Sequence, residues 1–238
     1  MKIAAATTMV ILSIGLWGAV APAAQMKWSE MASCFYNSYA HEQQQQYDKA
    51  VKDLEPIRKA YPNNYTVNYR TGWLQYLNKD YFSALRYLGK AHAISPESIE
   101  VMNVITLVYA AKADWPGVEK EAKKVIGIDN YNITANYWSS YAMRMRGKYA
   151  RAVMQDRKML RVLPTSVLFL QELAQNLKLD NKKVESAATY SDLAILSPPG
   201  KISEPGSGPS APAVTHKVSK VYRHLPAVAV THGSSAKK

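Results

Sequence analysis

The sequence predicts an all-α chain, a solenoid of antiparallel helix pairs built from about five units of 34 residues. One observation is that aromatic residues return every 34 positions, at Tyr47, Tyr81, Trp115 and Tyr149. Another is that apolar residues between 28 and 198 follow the 3- and 4-residue spacing of helices. Prolines also recur near the end of four of the five periods, at Pro62, Pro96, Pro164 and Pro198, and Asn130 takes the place of proline in the third. A fixed period of this length indicates stacked repeats, each burying its apolar face against its neighbours.

The second period shows how each unit divides into two helices. Its first helix is predicted over Thr66–Asn78, its turn at Lys79–Asp80, and its second helix over Tyr81–Ile94. Proline disfavours helical geometry in the residue before it, so the second helix ends at Ser95–Pro96. Short polar side chains at the boundaries are expected to cap helix N-termini: Asn63, Asn64, Ser95 and Asp129.

Small residues recur within the helices, and we expect them to be buried where helices approach closely. They are Gly72, Ala84, Ala91 and Ala152. A bulky side chain at such a position forces backbone shifts that cost about 1–3 kcal/mol. The fold therefore depends on the size of these residues as well as on their apolar character.

The period and its contents resemble the tetratricopeptide repeat (TPR) family. The second period matches best, with Gly72, then Tyr81 and Ala84 opening the second helix, Ala91 within it, and Pro96 closing it. The resemblance implies a right-handed superhelix over residues 25–198. Its repeats would lie near 31–64, 65–98, 99–132, 133–166 and 167–198.

The N-terminus has the parts of a secretory signal peptide, predicted over residues 1–24. Lys2 is followed by an apolar segment from Met9 to Val20, and Ala21-Pro22-Ala23 fits the small-residue cleavage rule. An uncleaved anchor is the alternative. We expect a periplasmic or secreted protein whose mature chain has no transmembrane span.

The composition changes after Pro198. Residues 199–238 are rich in Pro, Gly and Ser and carry an excess of Lys and Arg, which predicts a disordered basic tail. The alternative is a short, basic, β-prone arm that orders on a partner or a polysaccharide surface.

The residues do not indicate an enzyme, a metal site or a cofactor. No phosphate-binding loop, Gly-x-Ser-x-Gly or His-Glu-x-x-His sequence occurs. Cys34 is the only cysteine, which excludes an intrachain disulfide and a cysteine-based metal site. The formal charge of +12 is spread along the chain without a long basic run, so it favours solubility over nucleic-acid binding.

The resemblance to TPR proteins places ligands on the inner face of each first helix. The corresponding residues are Phe35, Tyr39, Tyr69, Trp73, Tyr76, Asn103, Tyr137, Tyr141 and Arg144. Tyr and Trp are favoured at binding surfaces because they offer large contact area with few rotatable bonds. Of the adjacent Tyr137 and Trp138, only one is expected to face the groove.

These observations predict a non-catalytic scaffold of the bacterial cell envelope that binds a segment of a partner protein in an aromatic concave groove. The alternative function is a carbohydrate-binding accessory protein in polysaccharide export. In that case the aromatic rings would stack on sugars, and Arg144 would meet anionic groups of the polysaccharide.

Overall fold

A computed structural model describes residues 26–196, and these residues form eleven helices and no strand. The predicted signal peptide (1–24) and the predicted tail (199–238) lie outside the described residues. The helices are α1 (Trp28–Gln43), α2 (Tyr47–Asp53), α3 (Glu55–Ala60), α4 (Tyr65–Leu77), α5 (Tyr81–Ile94), α6 (Ile99–Ala111), α7 (Trp115–Ile128), α8 (Ile133–Met145), α9 (Tyr149–Leu160), α10 (Val167–Leu179) and α11 (Lys183–Leu196). Within this part of the chain no helix has both the length and the apolar character needed to cross a bilayer.

The helices pack as consecutive pairs within two compact units, which meet in sequence at Val108 and Tyr109. In the first unit α1 packs on α2, α2 on α4 and α4 on α5. In the second unit each helix from α7 to α11 packs on the next one. The all-helical fold and the pairing of neighbouring helices are therefore confirmed.

The boundaries of the second period match the prediction closely. The second helix, α5, spans Tyr81–Ile94 as expected, and α4 begins one residue early. Four helix N-termini are capped by a side-chain oxygen that accepts a hydrogen bond from the backbone N–H three residues later, with an N···O distance of 3.0 Å in each case. The capping residues are Asn64, Asp80, Asp114 and Asn132.

Three of the four predicted N-caps are wrong. Asn63 precedes the actual cap of α4 by one residue. Ser95 and Asp129 instead lie at the C-terminal ends of α5 and α7. The physical reason is that the connections after α5 and after α7 are each four residues long. The N-cap of the next helix is therefore the last residue of the connection, and Ser95 and Asp129 are the first. Ser98 shows this, because its Oγ accepts the Val101 N–H at 3.3 Å.

The first period departs from the expected pair of helices, because its second helix is divided into α2 and α3. The division falls at Leu54, two residues before Pro56. Proline has no N–H to donate, and its ring clashes with the carbonyl four residues earlier, here that of Lys52. Leu54 and Ile57 nevertheless remain buried in the first unit's core.

The small positions are buried as predicted. Ala84, Ala91 and Ala152 have no exposed surface, and Gly72 is buried too. A Cβ built on Gly72 would lie 2.7 Å from Leu88 Cγ and 3.0 Å from the Leu88 backbone nitrogen. Helices α4 and α5 therefore approach at this point to a distance that only glycine permits.

The 34-residue period also determines the backbone conformation of the turns inside repeats. Five residues spaced by 34 have positive φ: Gln45 (58°), Lys79 (64°), Ala113 (54°), Gly147 (71°) and Asn181 (62°). The left-handed conformation costs a side-chain-bearing residue roughly 1–2 kcal/mol, and glycine adopts it without that cost. Only one of the five turns has the residue that this geometry prefers.

We expect Ala113→Gly to stabilise the second unit by about 1 kcal/mol and Gly147→Ala to destabilise it by a similar amount. A Cβ on Gly147 would meet no atom within 4 Å, so the cost there comes from the backbone alone. Gly127, inside α7 and equally open, is the control: its replacement by alanine is expected to stabilise the helix. Urea denaturation measures the free energy of unfolding of all three variants. A lower stability of Ala113→Gly than of the wild type would show that Ala113 is not strained in this turn.

Candidate binding surface: the aromatic stripe of the first unit

Helix α4 places a row of aromatic rings on one side because its tyrosines and tryptophan are separated by four, four and three residues. The rings of Tyr65 and Tyr69 are stacked with centroids 6.1 Å apart and planes 2° apart. The Trp73 and Tyr76 rings are 5.6 Å apart, and Tyr81 of α5 lies 6.4 Å beyond Tyr76. Together with Tyr39 of α1, these residues form what we call the aromatic stripe: Tyr39, Tyr65, Tyr69, Trp73, Tyr76 and Tyr81.

The rings of the stripe are neither in the core nor fully in water. Tyr39 is 39% exposed, and the other five are half-buried. Burial raises the pKa of the Tyr69 hydroxyl well above its ordinary value, and the carboxylate of Glu100 adds to the effect. Burial likewise raises the pKa of Tyr76. Tyr69 and Tyr76 therefore offer neutral hydroxyl tips on apolar rings over the whole physiological pH range.

Glu42 of α1 fixes the orientation of the middle of the stripe. Its Oε1 accepts a hydrogen bond from Trp73 Nε1 at 2.8 Å, and its Oε2 forms an ion pair with Arg70. The Arg70 guanidinium in turn lies over the Tyr39 ring, 3.9 Å from its centroid. One carboxylate thus holds a tryptophan directly and a tyrosine through an arginine, which orders the rings before any ligand arrives.

Glu100 has a similar place at the other end of the stripe. The Tyr65 hydroxyl lies 2.8 Å from Ser98 Oγ and donates to Glu100 Oε2 at 3.3 Å. Glu100 is exposed, whereas Arg70 is only 7% exposed and already paired with Glu42. The accessible charge beside the stripe is consequently negative.

Two predicted site residues of the first unit lie elsewhere. Phe35 is half-buried and packs against the core cluster that contains Leu54 and Leu74. Asn103 lies on α6 and is half-buried as well. Five residues of the arrangement were absent from the predicted site: Tyr65, Tyr81, Glu100 and the Glu42–Arg70 pair. Tyr65 was detectable, since it precedes Tyr69 by one helical turn, but the pairing of Glu42 with Arg70 depends on how α1 packs.

The predicted residues of the second unit are brought together, but mostly inside it. Tyr137 has no exposed surface, and Tyr141 is half-buried. Their rings are 6.1 Å apart, and Trp115 lies 5.5 Å from Tyr141. Trp138 is also buried, at 6% exposure, so the expectation that one member of the Tyr137–Trp138 pair faces outward is wrong. Helices α7, α9 and α10 all pack on α8, which leaves neither side of it uncovered there.

Arg144 is an internal charge of the second unit. It is 8% exposed, pairs with Glu172 at 3.2 Å and donates a hydrogen bond to Gln175 Oε1. Its guanidinium also lies over the Tyr141 ring, 4.7 Å from the centroid. These contacts occupy its planar face and two of its donors, so Arg144 connects α8 to α10 in this structure.

A second buried carboxyl group lies beside this pair. Asp156 has no exposed surface, and its Oδ2 accepts a hydrogen bond from Asn176 Nδ2 at 2.7 Å. Asn176 Nδ2 also donates to Ser140 Oγ at 3.1 Å. Burial raises the pKa of Asp156 to about 8, although its hydrogen bonds from Ser140 and Asn176 favour the ionised form. The second unit therefore contains a carboxyl group that is largely protonated at neutral pH.

Cys34 lies on helix α1 with His41, which pairs with Asp53 of α2, so nucleophilic chemistry has to be tested against the geometry. His41 Nδ1 lies 2.6 Å from Asp53 Oδ2. Residues seven apart on a helix are separated by about 10 Å along its axis, which is too far for His41 to take the Cys34 proton directly. Burial and the charge of Asp53 raise the pKa of the Cys34 thiol, which opposes thiolate formation.

Groups of three or more His, Cys, Asp or Glu side chains that could hold a metal ion do not occur among residues 26–196. The polar side chains of the candidate surface are instead committed to aromatic rings and to one another. The arrangement is suited to non-covalent contact with a ligand laid across the rings.

Comparison with solved structures identifies the architecture. The chain is similar to a crystal structure of MamA protein at 13% identity and a TM-score of 0.64, covering 71% of this chain and 92% of that one. MamA from Desulfovibrio magneticus RS-1, residue 41 to its end, gives 13% identity and a TM-score of 0.65 over 70% and 94%. A tetratricopeptide repeat protein from Parabacteroides merdae ATCC 43184 is similar at 15% identity and a TM-score of 0.61, covering 71% of this chain and 66% of that one.

No protein-family model matches the sequence, and no curated protein matches it. At these identities the similarity concerns the fold, and it agrees with the repeat period and the helix pairs described above. The chain therefore has a TPR-like helical-repeat fold.

Proposed function

We propose that this protein is a non-catalytic scaffold of the bacterial cell envelope that binds an extended segment of a partner protein on the aromatic stripe. The observation that supports the proposal is the row of half-buried rings on α4, held in fixed orientations by Glu42 and Glu100. The envelope location rests on the predicted signal peptide at residues 1–24. Preordered rings lower the entropic cost of binding, because the ligand does not have to immobilise them.

The charges beside the stripe favour a cationic or neutral segment. The exposed carboxylate of Glu100 lies beside the rings, while Glu42 and Arg70 neutralise each other. A proline-rich segment with Lys or Arg residues suits such a surface, because prolines dock between aromatic rings and the cations meet the Glu100 carboxylate.

An anionic polysaccharide fits this surface less well. Its carboxylates would approach Glu100, and like charges repel. Arg144, the cation that the polysaccharide alternative relied on, is buried and ion-paired with Glu172 in the second unit. The charges of the stripe thus favour the protein-binding function over the polysaccharide alternative.

The test is a calorimetric titration of the protein with two synthetic peptides, one rich in Pro and Arg and one in which Glu replaces every Arg. We expect binding of the first peptide only. We expect Tyr69→Ala and Tyr76→Ala each to weaken it at least about tenfold, the size typical of aromatic residues at interface centres.

Phe82→Ala is the matched control, since Phe82 is an aromatic residue of the same unit, 81% exposed and outside the stripe. Its affinity is expected to equal that of the wild type. Equal binding of both peptides, or an equal loss in the Phe82 and Tyr69 variants, would overturn the role of the stripe. Binding of a uronic-acid oligosaccharide in place of the basic peptide would support the polysaccharide alternative.

A further inference from the structure

The second unit carries a cluster of exposed apolar and basic side chains where the connection from α7 to α8 meets the end of α9. We call this cluster the loop edge: Ile128, Tyr131, Ile133, Lys158, Arg161 and Val162. Lys158 joins α9 to the connection between α7 and α8, because its Nζ donates to the Asn130 carbonyl oxygen at 2.6 Å and lies 5.5 Å from the centroid of the Tyr131 ring. The same Nζ also donates to Asn136 Oδ1 of α8 at 3.0 Å.

The apolar members of the loop edge are about half exposed to solvent. Ile128, Tyr131 and Ile133 are each 50% exposed, and Val162 is 46% exposed. Ile128, Tyr131 and Ile133 lie within or at the ends of the connection from α7 to α8, and Val162 lies just after α9. Exposed large apolar side chains that cluster in this way mark a surface that binds something apolar.

The charge of the same region is positive. The pKa of Lys158 is lowered mainly by burial and also by the nearby positive charge of Arg161. Asp129 is the nearby acid. Between residues 109 and 196 there are 14 Lys and Arg against nine Asp and Glu. Three of those acids, Glu121, Asp156 and Glu172, and one of those cations, Arg144, are buried. The outer surface of the second unit therefore has a clear positive excess.

We propose that the loop edge binds the surface of an anionic lipid bilayer. Aliphatic side chains and a tyrosine can enter the boundary between head groups and acyl chains, while Lys158 and Arg161 meet the lipid phosphates. A soluble polyanion would satisfy the cations but would leave the four apolar side chains in water. A bilayer satisfies both. This surface is separate from the aromatic stripe, so neither proposal depends on the other.

The test is co-sedimentation of the protein with vesicles of phosphatidylcholine alone and of phosphatidylcholine with 30% phosphatidylglycerol. Residues 1–24 are apolar, so the full chain and the chain from residue 25 are measured in parallel. We expect binding of both forms to the anionic vesicles, and at least tenfold weaker binding of the shorter form to the neutral ones. Arg161→Glu and Ile128→Ser are each expected to weaken the anionic binding of the shorter form at least fivefold.

Arg151→Glu is the matched control, because Arg151 lies on α9, ten residues before Arg161, is exposed and forms no ion pair among the described residues. It is expected to bind like the wild type. An equal loss of vesicle binding in Arg151→Glu and Arg161→Glu would overturn the proposal, because it would indicate a diffuse electrostatic attraction to the whole basic surface. So would unchanged binding of Ile128→Ser, which would indicate a purely electrostatic contact. Circular dichroism checks folding, and Arg161→Ala replaces the glutamate variant if that one unfolds.

Discussion

Gly72→Val is expected to destabilise the first unit by about 3 kcal/mol, at the upper end of the range for overpacked cores. Even the Cβ of this valine would lie 2.7 Å from Leu88 Cγ and 3.0 Å from the Leu88 backbone nitrogen. Leu88 is fully buried and its backbone belongs to α5, so the side chain has no open space to move into. For a unit of this size, the melting temperature is expected to fall by roughly 10 °C or more.

Gly89→Val provides the control for this result. Gly89 lies on α5, the helix that meets Gly72, but a Cβ built there would contact nothing within 4 Å. Its replacement is expected to change stability by less than about 1 kcal/mol, since valine and glycine are both weak helix formers. Thermal denaturation of both variants decides the matter. Similar melting temperatures would show that α4 and α5 do not approach as closely as the structure has them.

Asp156→Asn is expected to stabilise the second unit at pH 8 by at least about 2 kcal/mol and to have little effect at pH 4. The pKa of Asp156 is raised by burial to about 8 in the folded chain, so ionisation occurs far more readily after unfolding. A raised carboxyl pKa means that the folded state binds more protons than the unfolded state between pH 4 and pH 8. Stability is consequently highest at low pH and decreases as the pH rises through this range.

The size of this effect follows from the shift, since one pKa unit corresponds to about 1.4 kcal/mol. Ionisation of Asp156 thus removes on the order of 5 kcal/mol by pH 8. Asparagine keeps the shape and the oxygen that accepts from Asn176, yet it carries no charge to bury. Part of the gain is offset because its amide needs a partner of its own.

Urea denaturation at pH 4, 6 and 8 measures this dependence, with Asp192→Asn as the control. Asp192 is an exposed residue on α11 and is expected to change stability by less than about 0.5 kcal/mol at each pH. A wild-type stability that rises from pH 4 to pH 8, with no gain from Asp156→Asn, would contradict a largely neutral Asp156.

The period of 34 residues allowed much of the local structure to be predicted. It located α5 to the residue, the turn at Lys79–Asp80 and the buried small positions, because each depends on neighbours that recur with the period. It did not predict the positive φ of Lys79 or Ala113, since neither residue type favours that conformation. The turn adopts it because the helices on both sides are fixed by packing.

The candidate site was predicted only in part, for a similar reason. Helical spacing was enough to align Tyr69, Trp73 and Tyr76, as these residues lie on one helix. The same spacing in Tyr137, Tyr141 and Arg144 gave no sign that α10 packs on α8 and that Glu172 takes the charge of Arg144. Whether a stripe on one helix is a surface or a core depends on the helix that covers it.

The sequence by itself determined the fold class, the repeat length and the spacing of the aromatic residues, because all three follow from the period of the linear sequence. The tertiary structure alone decided which rings stay accessible, which charges are neutralised and where a carboxyl group is buried. Those properties arise from contacts between residues about 20 to 35 positions apart, such as Glu42 with Trp73 and Asp156 with Asn176. The period brings such pairs near each other, and the packing of particular side chains determines their environment.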